Sequence, residues 1–241
     1  MANSDARHGV ARVISKMGLA SRTVAADWVR AGRVQVNGRA VRDPEFPVRE
    51  GLDRITVDGE TVAAMVRVVL MLNKPRGLVT TARDEKGRAT VYQCLEGSGL
   101  PWLAPIGRLD KASEGLLLFS NDPAWAARLS NPTTGPEKTY HVQIDPLPTA
   151  RLLRQLELGV EIDGERLRAS VARTLRTGAR HAWLEIVLDE GRNRQIRRLL
   201  EACGVAVLRL VRVRIGTLKL GELPKGQWRE LSEREISGLS A

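Results

Sequence analysis

The stretch Gly107-Arg108-Leu109-Asp110-Lys111-Ala112-Ser113-Glu114-Gly115-Leu116-Leu117-Leu118-Phe119 joins a charged segment directly to an apolar one. Residues 115–119 show no polar alternation, which is typical of a strand that is buried on both faces. Because side chains alternate along an extended segment, Arg108 and Asp110 lie on one side and Leu109 lies on the other. A carboxylate on a loop beside a buried strand is held rigidly and can face a cleft. Spacing alone, however, favours a structural salt bridge for Asp110 over a catalytic role.

The sequence on either side of this stretch predicts strands mixed with a smaller number of helices. Apolar runs predict strands at residues 68–72, 116–119, 139–144, 182–188 and 206–215. Helical spacing of apolar residues predicts helices at residues 123–130, 149–158 and 194–203. Successive strands with few helices between them favour a largely antiparallel sheet over a doubly wound parallel one. Residues 67–241 are therefore predicted to form one α+β domain.

Residues 1–66 have the pattern of a separate small module. Apolar residues recur at helical spacing until Gly18, and Ser21 is a suitable N-cap for a second helix over residues 22–30. Alternating apolar residues then flank Asn37-Gly38, a pair that tolerates positive φ and indicates a tight hairpin. The sequence thus predicts two helices followed by a hairpin.

The charge of the chain points to a polyanionic partner. The net charge is +10, and of the 38 basic residues seven are lysines and 31 are arginines. Arginine presents a planar fork of donors that suits phosphate and stacks on bases, so nucleic acid is the first expectation. The alternative is an arginine-rich chain with an ordinary solvated surface. Seven arginines lie in residues 191–214 against one acid, Glu201, whereas residues 1–66 are nearly balanced, at +2.

Several classes of function lack the residues that they need. No glycine-rich dinucleotide motif follows a predicted strand and no P-loop is present, so we expect no cofactor. The three histidines have no metal-ligand spacing, so no metal is expected, and Cys94 and Cys203 are predicted to be reduced and partly buried. The apolar run at residues 68–72 is far too short to span a bilayer, and no signal peptide is apparent. We therefore expect a cytoplasmic protein with no membrane partner.

The predicted helix at residues 194–203 carries a basic surface beside an apolar stripe. Ile196, Leu199, Leu200 and Cys203 form the stripe, and Arg194, Arg198 and Glu201 are predicted to face solvent on the opposite side. Arg197 falls on the boundary. A residue at such a position can cover apolar surface with its stem while its guanidinium reaches into a cleft. A solvated arginine on a basic helix is the alternative.

The N-terminal module resembles the S4 RNA-binding domain. The pattern appears as Val10-x-Arg12-Val13-Ile14-x-x-x-Gly18-x-x-Ser21-Arg22, followed by Ala31-Gly32-Arg33-Val34-x-Val36-Asn37-Gly38. One departure is Thr23, where the family often has a second basic residue. The alternative is a generic helical cap. The resemblance implies placement on structured RNA, and four basic residues of the module are candidate RNA contacts: Arg12, Lys16, Arg22 and Arg33.

The rest of the chain resembles the pseudouridine synthases, specifically the RsuA/RluB group. The pattern Gly107-Arg108-Leu109-Asp110-x-x-Ser113-x-Gly115-Leu116-Leu117-Leu118 is similar to the signature of the family. Three further segments agree with it, namely Asn73-Lys74-Pro75-Arg76-Gly77, Glu137-Lys138-Thr139-Tyr140 and Glu190-Gly191-Arg192-Asn193-Arg194-Gln195-Ile196-Arg197-Arg198. The resemblance implies a mainly antiparallel mixed-sheet catalytic domain over residues 67–241.

The resemblance also implies roles for three residues. Asp110 would be the catalytic carboxylate, which either attacks C1′ of a flipped uridine or abstracts its 2′ proton. Tyr140 would stack on the uracil and help to remove the C5 proton. Arg197 would pair with Asp110. Further RNA contacts are expected from basic residues near the site and on the strand at residues 206–215: Lys74, Arg108, Arg192, Arg194, Arg212 and Arg214.

The implied function is isomerisation of uridine to pseudouridine in ribosomal RNA. The segment at residues 190–198 looks closer to the large-subunit (23S) enzymes than to the small-subunit (16S) one. Two alternatives are a 16S enzyme and a non-catalytic S4-type protein of ribosome assembly. An S4-fused methyltransferase would need a glycine-rich cofactor loop, which is absent from the sequence. The expected partner is structured ribosomal RNA in an assembly intermediate, bound by a monomer.

Overall fold

The structure is a computed structural model that describes residues 7–63 and 66–239. The chain divides into two compact units. The first contains the chain as far as Val68, together with Gly97–Ala104 and Ser120–Pro123. The second contains Val69–Glu96, Pro105–Phe119 and the chain from Ala124 onward. A domain boundary after residue 66 remains a prediction.

The described residues 7–63 of the N-terminal unit form two helices and six short strands. In chain order the elements are β1 (Arg7–Gly9), α1 (Val10–Lys16), α2 (Arg22–Arg30), β2 (Val34–Val36), β3 (Arg39–Val41), β4 (Pro47–Arg49), β5 (Ile55–Val57) and β6 (Glu60–Thr61). Strands β3, β2, β5 and β6 form an antiparallel sheet in that order, and β1 pairs with β4. The two helices and the hairpin predicted from the sequence are confirmed.

Local chemistry explains where these elements start and turn. The Ser21 side chain accepts a hydrogen bond from the backbone N–H of Val24 at 3.1 Å, as expected of an N-cap. Asn37 and Gly38 both have positive φ, at 51° and 79°, which lets β2 turn directly into β3. The apolar sides of α1 and α2 pack against the sheet. The core of the unit consists of small aliphatic residues, among them Val10, Val13, Ile14, Ala25, Val29, Val34 and Ile55.

The remainder of the chain is richer in strands. Its strands are β7 (Val69–Lys74), β8 (Ala104–Ile106), β9 (Glu114–Ser120), β10 (Lys138–Asp145), β11 (Val160–Ile162), β12 (Glu165–Leu167), β13 (Val171–Thr177), β14 (Ala182–Leu188), β15 (Ala206–Ile215), β16 (Leu218–Lys219) and β17 (Trp228–Glu230). Its helices are α3 (Pro123–Ser130), α4 (Ala150–Leu158), α5 (Gln195–Ala202) and α6 (Glu233–Gly238), with a 3₁₀ turn at Val91–Leu95.

Most of these strands belong to one mixed sheet. Its path is β13-β14-β10-β15-β9-β7-β17, with β16 added beside β15 and β8 beside β9. The pairs β13–β14, β14–β10 and β10–β15 are antiparallel, whereas β15 and β9 run parallel. The predicted α+β class with a mainly antiparallel mixed sheet is confirmed. The predicted elements agree with the observed ones to within one or two residues at their ends.

Strand β9 lies inside the sheet, between β15 and β7, and every one of its residues is buried. Leu116 and Leu118 pack against Trp125 of α3, as the uninterrupted apolar run predicts. Gly115 has φ +101°, and a Cβ atom there would lie 2.2 Å from the carbonyl oxygen of Arg212. Only glycine therefore allows β15 to lie this close to the strand that follows Asp110. Within the two described ranges, no helix is long and apolar enough to cross a membrane.

Candidate active site

The loop that carries Asp110 is anchored from beneath by Lys74. The Lys74 side chain is fully buried at the end of β7, and its Nζ donates to the carbonyl oxygens of Pro75 (3.1 Å), Asp110 (3.1 Å) and Ser113 (2.9 Å). Burial lowers the pKa of Lys74 to about 8, although the carboxylates of Asp110 and Glu114 oppose this shift. The prediction that Lys74 contacts RNA is wrong, because its ammonium group is enclosed by backbone carbonyls.

A second anchor fixes the same loop at Leu109. The Thr80 hydroxyl donates to the Leu109 carbonyl at 2.7 Å and accepts from the Leu109 N–H at 3.2 Å. The backbone N–H of Ser113 donates to the Asp110 carbonyl at 2.9 Å, which closes a turn around the aspartate. The Asp110 carboxylate itself stays 38% exposed. The loop is thus held by its backbone while the carboxylate remains accessible.

The guanidinium nearest to Asp110 belongs to Arg194 and not to Arg197. Arg194 Nη1 lies 3.4 Å from Asp110 Oδ2, whereas Arg197 Nη2 donates to the Ala112 carbonyl at 3.2 Å. The predicted Arg197–Asp110 pair is therefore corrected, whereas Arg194 is exposed as predicted and in addition reaches the aspartate. The physical reason is local: Arg194 is the N-cap of α5 and has φ +48°, so it does not follow the helical spacing assumed from the sequence.

Arg197 nevertheless lies close to the aspartate. Burial lowers the pKa of its guanidinium and the charge of Arg194 lowers it further, while Asp110 opposes both effects. Its buried Nε has no hydrogen-bond partner within the described chain. A buried donor without a partner is costly, and a ligand oxygen could satisfy it.

Asp110 and its neighbours line a cavity of about 120 Å³ in the second unit. Tyr140 on β10 contributes the aromatic wall and is almost completely buried. The residues that line the cavity are Arg108, Leu109, Asp110, Ser113, Lys138, Tyr140, Leu188, Gly191, Arg192, Arg194, Gln195, Ile196, Arg197 and Leu210. The three residues predicted to be catalytic, Asp110, Tyr140 and Arg197, all contribute to this lining.

The sequence predicted no role for several of the lining residues, among them Lys138 and Gln195. Lys138 stands two residues before Tyr140 on β10, and this spacing places both side chains on the same face of a strand. Burial, with the charge of Arg212, lowers the pKa of Lys138, and Asp189 opposes the shift. Gln195 is buried and accepts from the Arg192 N–H at 3.1 Å, so it shapes the loop before α5.

Alternation of side chains along an extended segment predicts that Arg212 and Arg214 lie on one face of β15, and the structure contradicts this prediction. Thr139 pairs with Arg214 whereas Tyr140 pairs with Arg212, so a bulge falls between them and places the two arginines on opposite faces. Arg212 is buried, and its Nε donates to the Leu116 carbonyl at 2.7 Å. The prediction that Arg212 contacts RNA is therefore wrong. Arg214 stays partly exposed and donates to the Thr139 hydroxyl at 3.1 Å.

The predicted RNA contacts of the N-terminal unit are exposed. Lys16 pairs with Glu50 at 2.6 Å and Arg22 with Glu45 at 2.8 Å. Arg33 pairs with Asp58, and its guanidinium also lies over the Trp28 ring, 5.3 Å from the centroid. Arg12 is exposed on α1. Their contact with RNA remains a prediction, as it does for three residues that line the cavity: Arg108, Arg192 and Arg194.

Comparison with known families identifies the chain. Residues 10–53 match the model of the S4 domain. The charged cavity lies in the part of the chain that follows. An S4 domain joined to such a cavity is the organisation of an enzyme that acts on RNA. Residues 68–202 match the model of the RNA pseudouridylate synthase family. The chain belongs to this family and is an RNA pseudouridine synthase, not the non-catalytic RNA-binding protein that the sequence alone left open.

Relatives agree over nearly the whole chain. It is 36% identical to ribosomal large subunit pseudouridine synthase B of Bacillus subtilis, over 95% of this chain and 94% of that protein. It is also 36% identical to the protein of the same name from Pseudomonas aeruginosa, over 95% of this chain and 61% of that protein. A solved structure described as a pseudouridylate synthase matches with a TM-score of 0.65 and 29% identity, over 96% of this chain and 99% of that one.

Proposed function

We propose that this enzyme converts a uridine of large-subunit (23S) ribosomal RNA into pseudouridine, with Asp110 as its catalytic carboxylate. The observation that carries this proposal is the position of Asp110. Its carboxylate opens into a small cavity beside Tyr140 and Arg197, and its backbone is tied down by Lys74. The names of the similar proteins from two bacteria favour the large subunit as the source of the substrate.

The reaction rearranges one nucleotide without any net change of atoms. The uridine leaves its stack and enters the cavity, as enzymes that act on bases require. The N1–C1′ bond breaks, the uracil turns, and C5 joins C1′, after which C5 loses a proton and N1 holds one. Asp110 begins this sequence either by attacking C1′ or by abstracting the 2′ proton, and both routes fit its accessible carboxylate.

The neighbours of Asp110 have distinct roles in this proposal. Tyr140 stacks on the uracil and helps to remove the C5 proton. Arg197 and Arg194 balance the charge of the carboxylate when the flipped base excludes water from the cavity. Arg197 also has an unsatisfied Nε, so it can bind an oxygen of the nucleotide.

The other domain would place the enzyme on its substrate. We propose that residues 1–66 form an S4 domain that binds structured ribosomal RNA through Arg12, Lys16, Arg22 and Arg33. The enzyme would act as a monomer on an assembly intermediate in the cytoplasm. A 16S uridine is the alternative target.

Mapping of pseudouridines in ribosomal RNA tests the proposal directly. The RNA would come from cells that lack the gene and from the same cells supplied with wild-type protein or with Asp110→Asn. We expect one or a few 23S pseudouridines to disappear in the deletion strain and to return only with the wild-type protein. Loss of a 16S site would establish the alternative target, and restoration by Asp110→Asn would refute the catalytic assignment.

A further inference from the structure

The catalytic sheet has a second face, which points away from the cavity. Tyr140 lines the cavity, and His141, the next residue of β10, points to the other side. We call this side of β10, β13, β14 and β15 the open face; it carries His141, Arg176, Trp183 and Arg209. The open face therefore belongs to the same domain as Asp110 but not to the same site.

The two faces of the sheet are covered differently. On the cavity side α4 and α5 pack against β13 and β15, and the β14 residues Leu184 and Ile186 are fully buried. The open face keeps two grooves of about 410 Å³ and 600 Å³. Leu175, which lines one of them, is 41% exposed. This part of the described chain therefore leaves a sheet surface that a partner can reach.

The open face is positively charged because its acids are already neutralised. Glu185 is bound by Arg173 at 2.6 Å. Glu114 is buried beneath Arg209, whose Nε lies 3.1 Å from its carboxylate. Three further cations line the grooves without a salt bridge to any described residue: Arg176, Arg214 and Lys219. This surplus of positive charge favours a polyanion.

The arrangement around Trp183 indicates which polyanion fits. The guanidinium of Arg176 lies 5.3 Å from the centroid of the Trp183 ring, and that of Arg209 lies 5.5 Å from it. Arginine held against an aromatic ring gives a flat cationic surface on which an unpaired base can stack while a phosphate binds nearby. The apolar residues of the same groove, Leu175, Val211 and Val213, lie among these arginines, so an apolar contact made here has a cation beside it, which suits a base with its phosphate.

We propose that the open face binds a second segment of the RNA substrate, on the side of the sheet opposite to the cavity that receives the uridine. This inference rests on the proposed function, because only a large folded RNA can reach both faces. The second segment would add affinity for long RNA and would leave the chemistry at Asp110 unchanged.

A matched pair of double variants tests this proposal. Arg176→Glu/Lys219→Glu reverses two exposed cations of the open face, and Arg151→Glu/Arg154→Glu reverses two exposed cations of α4 on the cavity side. The probes are a 23S transcript and a short stem-loop that carries the modified uridine. Affinity is measured against salt concentration, pseudouridine formation is measured on both RNAs, and thermal melting checks the fold of each variant.

The open-face variant should bind the 23S transcript about tenfold more weakly, and the slope of log affinity against log salt should fall by about two. Its kcat/KM on the stem-loop should equal that of the wild type, and the α4 variant should lose much less affinity for the transcript. Ultraviolet irradiation of the wild-type complex should cross-link RNA to the peptide that contains Trp183.

Three results would overturn the inference. Equal losses in the two double variants would mean that only general charge matters. Unchanged affinity for the transcript, with weaker binding to isolated large subunits, would mean that a protein occupies the open face. Loss of activity on the stem-loop would mean that the open face affects the cavity itself. The activity of the wild type on ribosomal RNA is measured before the variants are compared. If the wild type modifies no ribosomal RNA, that result refutes the proposed function.

Discussion

Two regions only four residues apart hold a carboxylate in opposite ways. Asp110, on the loop before β9, keeps its carboxylate 38% exposed, with one guanidinium at 3.4 Å. Glu114, the first residue of β9, is fully buried and is bound by both Arg209 and Lys225. Both carboxylates have cationic partners, so an ion pair does not distinguish them. Access to a cavity distinguishes them: Asp110 is accessible to a substrate, whereas Glu114 is enclosed and stabilises the fold.

The largest expected effect comes from Asp110→Asn. Because the amide is a poor nucleophile and a poor base, pseudouridine formation should fall by about a thousandfold or more. The melting temperature and the RNA affinity should stay close to those of the wild type, since the anchors of this loop are backbone groups. A tritium-release or mass-spectrometric assay measures the activity. If Asp110→Asn retained its activity, Asp110 would not be the catalytic carboxylate and would not differ from Glu114 in function.

Lys74→Met should break the support on which Asp110 depends. Three buried carbonyls would lose their donor, at a cost of about 1–3 kcal/mol in the free energy of unfolding. Activity should fall as well, because the loop would no longer be fixed. Urea titration combined with steady-state kinetics measures both effects, and Lys111→Met, an exposed lysine of the same loop, is the control.

The effect of Lys74→Met should also depend on pH. The pKa of Lys74 is about 8 in the folded protein, against 10.5 for an unperturbed lysine. Between these two values the unfolded chain holds a proton that the folded chain has released, so the stability of the wild type rises with pH. The stability of the wild type relative to the variant should therefore grow by up to about 3 kcal/mol over that range. A difference that stays flat would show that Lys74 is not desolvated.

Glu114→Gln should destabilise the protein without altering its chemistry. Burial by itself raises the pKa of Glu114, but Arg209 and Lys225 outweigh burial and hold that pKa below its ordinary value. The stabilisation is therefore present above the unfolded pKa and is lost as the pH falls through the folded one. Because both cations can reach water, we expect a loss of about 2 kcal/mol. Activity per folded molecule should be unchanged, and a large loss of kcat would give Glu114 a part in the reaction.

The smallest expected effect concerns an exposed pair of the N-terminal unit. The side chains of Arg22 and Glu45 are 59% and 65% exposed, so Arg22→Ala should cost less than about 0.5 kcal/mol of stability. If Arg22 contacts RNA, the slope of log affinity against log salt should fall by about one. Glu45→Ala is the matched control, which removes the same pair but should not reduce that slope. Equal changes in the two variants would assign Arg22 to the ion pair alone.

Much of the fold and the position of Asp110 could be predicted from the sequence. The uninterrupted apolar residues of β9 and the Asn37-Gly38 pair are local signals, and local signals are enough to place strands and turns. The environments of charged residues were less predictable. The burial of Lys74 depends on carbonyls of residues 36 and 39 positions away, which no local pattern reveals.

The arginines near the site show the same limit. The range of β15 was predicted correctly, yet the bulge that turns Arg212 inward arises from its pairing with β10. Likewise, the left-handed backbone of Arg194, which brings its guanidinium to Asp110, is a feature of the turn before α5. Simple alternation along the strand assigned Arg212 to the wrong environment, and simple periodicity along the helix predicted the exposure of Arg194 but not its contact with Asp110.

The contact at Gly115 has a consequence for how the enzyme meets its substrate. No side chain separates β9 from the backbone of Arg212, so the strand that follows Asp110 lies directly against β15, which in turn pairs with the strand of Tyr140. Because Lys74 also fixes the loop of Asp110, this part of the site is largely preformed before the RNA binds. The RNA would then have to deform to bring a uridine into the cavity, and we expect this to favour uridines whose surroundings deform at low energetic cost.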